Sequence, residues 1–121
     1  MVIEHDSRNI LYRSPFGAVP CMTNIRLRLY VKADKIPASI TLVYRYRDDD
    51  PVTLPMNYIY MIARGSIYES ELQVPKDPGL IFYYFTIVIG NNTYYYGNNK
   101  DNLGGLGKVS IKIPPGYQIT V

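Results

Sequence analysis

Apolar and polar residues alternate along most of this chain with a period of two, and this pattern sets the fold class. Residues 25–32 alternate between aliphatic side chains and Arg, Tyr or Lys, and residues 40–47 repeat the pattern in a looser form. Such alternation is typical of half-buried strands with one face toward solvent. No segment combines a sustained apolar stripe at helical spacing with helix-capping residues. The sequence therefore predicts an all-β domain.

Turn-forming residues divide the chain into short strands. Residues 48–51 and 75–79 are predicted turns, because Asp side chains bond nearby backbone and Pro fixes φ. Pro55 has no N–H to donate, so residues 52–62 are predicted to form an edge strand or a strand broken at that point. About seven to eight strands with a turn every 8 to 12 residues or so predict an antiparallel immunoglobulin-like β-sandwich.

The core of this sandwich must form without a disulfide or a tryptophan. The chain has a single Cys, no Trp, three Phe and 13 Tyr. Residues 80–89 are apolar on both faces, which predicts a central strand covered on both sides. In the run 94–96, alternation places Tyr94 and Tyr96 on one face and Tyr95 on the other. Because Tyr combines an apolar ring with a hydroxyl, these faces fit sheet packing, a domain interface or a sugar-stacking platform.

Several functional classes are disfavoured by residue counts and spacing. The net charge of +3 is scattered and matches no nucleic-acid-binding motif, and no apolar run reaches the length of a membrane span. Cys21 and His5 are each the only residue of their kind, so a catalytic Cys–His pair is disfavoured and clustered zinc ligands are excluded. The N-terminus has no signal-peptide pattern, which together with the unpaired Cys21 predicts a cytoplasmic protein.

The acidic residues do not suggest a hydrolytic centre. Glycosidic hydrolysis normally needs two carboxyl groups that face each other across the bond. Glu69 and Glu71 lie two residues apart on one strand face and are interpreted as solvated charges, and residues 48–50 lie in a turn. The chain itself is therefore predicted not to be an enzyme.

Four segments carry a resemblance to a known family. They read Arg-Ser-Pro-Phe-Gly-Ala-Val-Pro at 13–20, Tyr-Tyr-Tyr-Gly-Asn-Asn at 94–99, Leu-Gly-Gly-Leu-Gly at 103–107 and Pro-Pro-Gly-Tyr-Gln-Ile-Thr-Val at 114–121. Together they resemble the N-terminal domain of α-amylase-family enzymes, glycoside hydrolase family 13. The resemblance is to the neopullulanase, cyclomaltodextrinase and maltogenic amylase type and to related clostridial α-amylases. It covers nearly the whole chain.

The resemblance implies a division of labour between this chain and a catalytic domain. Residues 1–116 would form an immunoglobulin-like accessory domain, and residues 117–121 would begin the linker to a (β/α)8 barrel that carries the catalytic carboxylates. The implied partners are that barrel, an α-glucan or maltooligosaccharide, and a second copy in a homodimer. Two alternatives stay open: an autonomous carbohydrate-binding module, and an unrelated immunoglobulin-like protein-interaction domain.

The candidate contact residues for a glucan or for the barrel lie on the tyrosine run and on the loop after it. They are Tyr94, Tyr96, Asn98, Asn99, Asp101, Gly104 and Gly105. Glycines allow close backbone approach and Asn amides both donate and accept hydrogen bonds, so this loop is expected to be a flexible contact loop. Its Asn and Asp oxygens suit Ca²⁺, but a calcium cage takes about six to eight oxygens. No cofactor is therefore predicted for this chain, and calcium is considered for the full-length enzyme.

Overall fold

A computed structural model describes the whole chain, from Met1 to Val121. The chain forms 11 strands and no helix that could cross a membrane. The strands are β1 (Val2–Glu4), β2 (Arg13–Ser14), β3 (Asn24–Lys32), β4 (Ser39–Tyr46), β5 (Val52–Pro55), β6 (Asn57–Ile62), β7 (Gly65–Gln73), β8 (Leu80–Ile89), β9 (Asn92–Gly97), β10 (Lys108–Ser110) and β11 (Tyr117–Thr120).

The strands form two antiparallel sheets. The first sheet has the order β1-β3-β7-β6, and β2 pairs with another part of β3. The second has the order β10-β9-β8-β4-β5, and β11 pairs with β8. The prediction of an antiparallel β-sandwich is confirmed. The number of strands exceeds the expected seven to eight because pairings of two or three residues, such as β1 and β2, are too short to show alternation in the sequence.

One core of 19 buried residues joins the two sheets. The first sheet contributes Ile25, Leu27 and Leu29 from β3, and the second contributes Ile81 and Phe85 from β8. These residues occupy alternate positions on their strands, so each strand turns one face inward. The alternation of the sequence therefore specifies the burial as well as the strands.

The chain changes sheets at Pro55. β5 ends there at the edge of the second sheet, and β6 begins two residues later at the edge of the first. Between them Met56 is buried in the core, and its backbone N–H donates to the carbonyl of Ile40 at 2.9 Å. This confirms the prediction of an edge or broken strand, since a missing donor costs nothing where the ladder is interrupted.

The predicted boundary at residue 116 is corrected by β11. Residues 117–121 were expected to begin a linker, but β11 pairs with residues 80–83 of β8. Tyr117 and Ile119 are fully buried, and Val121 exchanges backbone hydrogen bonds with Gly79. β9 pairs only with residues 85–89 of β8, so the first half of β8 is available for pairing with β11. The sandwich thus includes residues 117–121, while a barrel beyond it stays a prediction.

The prediction for β8 is correct for the strand's position and wrong for its coverage. β8 is central, with β4 on one side and β9 and β11 on the other. Its inner face is buried, but on its outer face Phe82 is 39% exposed and Tyr84 is half-buried. No other element of the chain covers this apolar outer face completely.

Candidate interaction site

The 98–107 loop is held against the N-terminal segment by backbone and side-chain hydrogen bonds. Two hydrogen bonds join Ser7 and Gly105. The Ser7 N–H donates to the Gly105 carbonyl at 3.2 Å, and the Gly105 N–H donates to Ser7 Oγ at 2.8 Å. Arg8 Nη2 donates to the carbonyl of Leu103, and Asp6 forms a β-bridge with Leu106. The loop was expected to be flexible, but these contacts anchor it to the sandwich.

Two asparagine side chains organise the inside of this loop. Asn98 Oδ1 accepts from the N–H groups of Asn99 and Gly104, both at 3.0 Å. Asn99 Oδ1 accepts from Asp101 and Leu103, at 3.2 and 3.1 Å, and Asn99 Nδ2 donates to the Gly104 carbonyl at 2.9 Å. Each amide oxygen already accepts two hydrogen bonds, so neither has the free lone pairs that a Ca²⁺ ligand needs.

Gly104 and Gly105 are required by the path of the loop. Their φ angles are +72° and +77°, a region where a side chain is strained. A Cβ at Gly104 would also lie 3.2 Å from Ser7 Oγ. These glycines therefore shape the loop and provide no functional side chain themselves.

The two candidate tyrosines, Tyr94 and Tyr96, lie on the inner face of β9. Tyr96 is buried in the core, and its hydroxyl donates to the carbonyl of His5 at 3.0 Å and accepts from the N–H of Gly107 at 2.8 Å. Tyr94 is half-buried and packs against the core. The Tyr96 ring is enclosed, so in this fold it is not accessible to a sugar, and its hydroxyl instead ties the loop to the N-terminal segment.

His5 is the polar centre of this region, a role that no pattern in the sequence predicts. It is fully buried, and its ring lies edge-on to Tyr83 and Tyr117. Nδ1 lies 2.8 Å from the carbonyl of Arg28, which can only accept, so Nδ1 carries the proton. Nε2 is then the acceptor for the hydroxyl of Tyr83 at 2.9 Å. A pattern search for metal or catalytic partners misses this residue, because its partners are a carbonyl and tyrosines.

Burial keeps His5 neutral. The pKa of His5 is lowered to about 3, mainly because the buried ring loses its hydration. The hydrogen bond to the Arg28 carbonyl opposes this shift, and the nearby Arg13 guanidinium adds to it. Burial also raises the pKa of Tyr83 and Tyr117 above the ordinary value of tyrosine. At neutral pH His5 is therefore a fixed hydrogen-bonding group without the exposure that a general base needs.

A polar groove lies between the 98–107 loop and the segment that follows β2. Its volume is about 350 Å³, and Arg8, Phe16, Asn102, Leu103 and Gln118 line it. Phe16 and Leu103 are 60% and 65% exposed. We call these five residues the loop surface. Exposed apolar side chains beside amide and guanidinium donors are typical of protein–protein contact surfaces.

The structure brings the predicted loop residues together and places the two predicted tyrosines elsewhere. Asn98, Asn99, Gly104 and Gly105 form the frame of the loop, and Asp101 is exposed at its tip. Tyr94 and Tyr96 point into the sandwich instead. No group of three or more His, Cys, Asp and Glu side chains converges anywhere in residues 1–121. The arrangement is suited to contact with another surface.

The fold and the loop surface define a β-sandwich domain suited to contact with another protein surface. Comparison with known proteins identifies its relatives. The chain is 31% identical to an amylopullulanase of Thermoanaerobacterium thermosulfurigenes over 120 residues, which are 98% of this chain and 6% of the relative. It is 31% identical to an amylopullulanase of Thermoanaerobacterium saccharolyticum, again over 98% of the chain and 9% of the relative. The chain therefore spans less than a tenth of the length of these relatives. No protein-family model matches it.

A solved structure has the same fold. A cyclomaltodextrinase superposes with a TM-score of 0.66 over 96% of this chain and 18% of that structure, at 15% sequence identity. The amylopullulanase relatives confirm the resemblance that the four sequence segments indicated. The chain is homologous to a domain of the amylase-type glucan hydrolases.

Proposed function

We propose that this chain is a non-catalytic, immunoglobulin-like N-terminal domain of an α-glucan-hydrolysing enzyme. In this proposal it packs on a catalytic (β/α)8 barrel and assists substrate binding or dimerisation. The observation that carries the proposal is the match of 98% of the chain to a small fraction of amylopullulanases. A domain that makes up so small a share of a hydrolase contributes most simply through its surface.

The chemistry of the ionisable side chains supports an accessory role. His5 is buried and bonded at both ring nitrogens. Glu69 is paired with Arg28 at 2.9 Å, and residues 48–50 are exposed in a turn. None of these groups faces a second carboxyl group across a cleft, which is the arrangement that glycosidic hydrolysis requires.

The loop surface is the part of the chain that we assign to the barrel. It combines exposed Phe16 and Leu103 with hydrogen-bonding side chains, and its loop is anchored and so needs little ordering on association. Pre-organised surfaces lose less conformational entropy when they bind. The groove beside Leu103 also gives a partner side chain a place to insert.

The proposal is tested in a hybrid enzyme in which this chain replaces the matching segment of an amylopullulanase. Leu103→Asp places a charge on the loop surface, and we expect it to shorten the half-life of hybrid activity on heating about tenfold. The melting temperature of the isolated chain should not change. Met61→Asp is the matched control, since Met61 is 69% exposed and lies on β6, away from the loop surface. The control should leave the hybrid unchanged.

Two results would overturn the proposal. One is release of reducing ends from amylose or pullulan by the purified 121-residue chain alone. The other is equal thermal inactivation of the hybrid enzyme with Leu103→Asp, with Met61→Asp and without substitution.

A further inference from the structure

Arg13 is a buried arginine in the wall of the groove at the loop surface. It lies on β2, is only 6% exposed, and lines the groove together with Arg8. Its Nη1 donates to the carbonyl of Gln118 at 3.0 Å, and its Nη2 donates to the carbonyl of Gly17 at 3.3 Å. Its Nε is buried without a hydrogen-bond partner. Because a guanidinium has more N–H donors than these bonds use, Arg13 keeps donors for a further acceptor.

The positive charge of Arg13 has no counter-ion in the chain. The ion pairs of the structure join Arg26 and Arg28 to Glu69 and do not include Arg13. Two carbonyls accept from Arg13, and the ring of Tyr83 lies 5.9 Å from its Cζ, but none of these groups carries a net negative charge. A buried arginine is usually paired, since an unpaired buried charge is costly. Arg13 therefore calls for an acidic partner that residues 1–121 do not supply.

The lining of the groove carries positive charge and no negative charge. Arg8 and Arg13 are its charged residues, and no Asp or Glu lines it. Arg8 donates to the carbonyl of Leu103 and has no carboxylate partner either. Asp6 is close in sequence but lies outside the lining, and its Oδ1 accepts from the backbone N–H of Arg8 at 2.9 Å. Two guanidinium groups without an acid beside them favour an anionic group in the groove.

The rim of the groove favours a carboxylate on a protein side chain over a free anion. Phe16 and Leu103 are 60% and 65% exposed and line the groove with the two arginines. A protein surface that covers these apolar side chains also removes water from the groove, which strengthens the attraction between opposite charges. A free anion would leave them exposed. Arg13 is already held by two carbonyls, so a bidentate pair with a carboxylate needs little further ordering.

We infer that the groove receives an Asp or Glu side chain from the catalytic barrel of the parent enzyme, and that Arg13 and Arg8 bind its carboxylate. Arg13 supplies the buried guanidinium and Arg8 the exposed one. The inference rests on the proposed function, because it places the acid on the barrel that is proposed to pack on the loop surface. It adds a specific charge pair to that contact, and such pairs fix the register of two surfaces.

Neutral substitutions in the hybrid enzyme described above test whether the two charges hold the barrel. Arg13→Gln keeps a donor for the carbonyls and removes the charge, and we expect it to shorten the half-life of hybrid activity on heating about tenfold. Arg8→Gln is a second variant at an exposed position that does not risk the fold, and we expect about a threefold effect. Arg64→Gln is the matched control. It removes an exposed charge between β6 and β7, outside the groove, and should leave the half-life unchanged.

Carbodiimide coupling in the hybrid enzyme identifies the acid. A carbodiimide joins an amine to a carboxyl group that is in contact with it, and it does not couple a guanidinium. With Arg8→Lys, we expect the introduced amine to be coupled to an Asp or Glu of the barrel, and peptide mass spectrometry locates that residue. Arg64→Lys is the matched control and should give no coupling to the barrel from position 64.

Either of two results would overturn the inference. One is an unchanged half-life in both Arg13→Gln and Arg8→Gln. The other is the absence of coupling to a barrel acid in Arg8→Lys, including coupling only to Asp6 or Asp101 of the chain itself. If Leu103→Asp inactivates the hybrid enzyme while both neutral arginine variants do not, the charge pair fails and the proposed barrel contact stands. If Leu103→Asp also has no effect, both fail.

Discussion

Tyr83 and Tyr84 are neighbours in the sequence and lie in two very different parts of the molecule. Tyr83 is fully buried, stacks on Tyr117 with ring centroids 5.3 Å apart and donates its hydroxyl to His5. Tyr84 lies on the outer face, half-buried beside Tyr95, without a hydrogen-bond partner in the chain. The same contrast recurs on β9, where Tyr96 points inward and Tyr95 outward.

This difference separates the structural tyrosines from those on the outer face. Inside the sandwich a tyrosine hydroxyl must find a partner, because an unpaired buried hydroxyl is costly. The inner hydroxyls of Tyr83, Tyr96 and Tyr117 all donate hydrogen bonds to His5, to its ring or to its carbonyl. On the outer face, by contrast, water can satisfy the hydroxyl. The tyrosine content of this chain therefore serves both packing and an open surface.

Alanine substitution of the two neighbours is the strongest test of this contrast. Tyr83→Ala removes a fully buried ring and its bond to His5, and we expect it to lower the free energy of unfolding by about 3–5 kcal/mol. Tyr84→Ala should lower it by about 1 kcal/mol, since half of the environment of that ring is solvent. Urea unfolding of both variants measures the difference. Equal losses would mean that the outer face is part of the stabilising core.

The sequence predicts that neighbouring tyrosines lie on opposite faces of the sheet, but it does not predict which of the two faces is buried. Alternation places Tyr83 opposite Tyr84, and Tyr95 opposite Tyr94 and Tyr96, whatever the fold. Because β8 and β9 carry aromatic or aliphatic residues on both faces, composition does not say which face is inside. The buried face is the one that packs against β3, because the aliphatic face of β3 contacts only one side of the second sheet. This long-range contact is invisible in a local pattern.

The pH dependence of stability tests the inner cluster around His5. The ring is neutral in the folded chain, with its pKa lowered to about 3 by burial, and it returns to an ordinary pKa near 6.5 on unfolding. Between these values the unfolded chain binds more protons than the folded chain, so stability is complete above pH 6.5 and falls as the pH decreases toward 3. The loss should approach about 1.4 kcal/mol for each pH unit.

Urea unfolding at several pH values between 5 and 7 measures this slope. Tyr12, Tyr83 and Tyr117 face the His5 ring, and Arg13 is the nearby charge, so no carboxylate in contact with the ring complicates the slope. His5→Gln should flatten the dependence above pH 5. Tyr83→Phe keeps the imidazole and should retain most of the slope. A slope of the same size in His5→Gln would assign the effect to other groups.

The loop and the C-terminal strand show where prediction from the sequence was limited. The Asn and Gly residues of 98–107 predicted a loop, but its anchoring depends on Ser7 and Arg8, about 100 residues away. Residues 117–121 have the alternation of a strand, yet their pairing partner is set by the free half of β8. Both cases depend on contacts between the two ends of the chain. Local sequence patterns identify such segments as loop or strand but do not predict which part of the chain they contact.

Removing single hydroxyls gives the smallest and most specific test of the contrast. Tyr96→Phe leaves the N–H of Gly107 without its acceptor and removes one of the two donors to the His5 carbonyl. We expect it to lower the free energy of unfolding by about 1–2 kcal/mol and to speed amide exchange at Gly107. Tyr95→Phe should change stability by less than about 0.5 kcal/mol. If both variants were equally stable, the Tyr96 hydroxyl would not be the link between loop and core, and anchoring would rest on Ser7 and Arg8 alone.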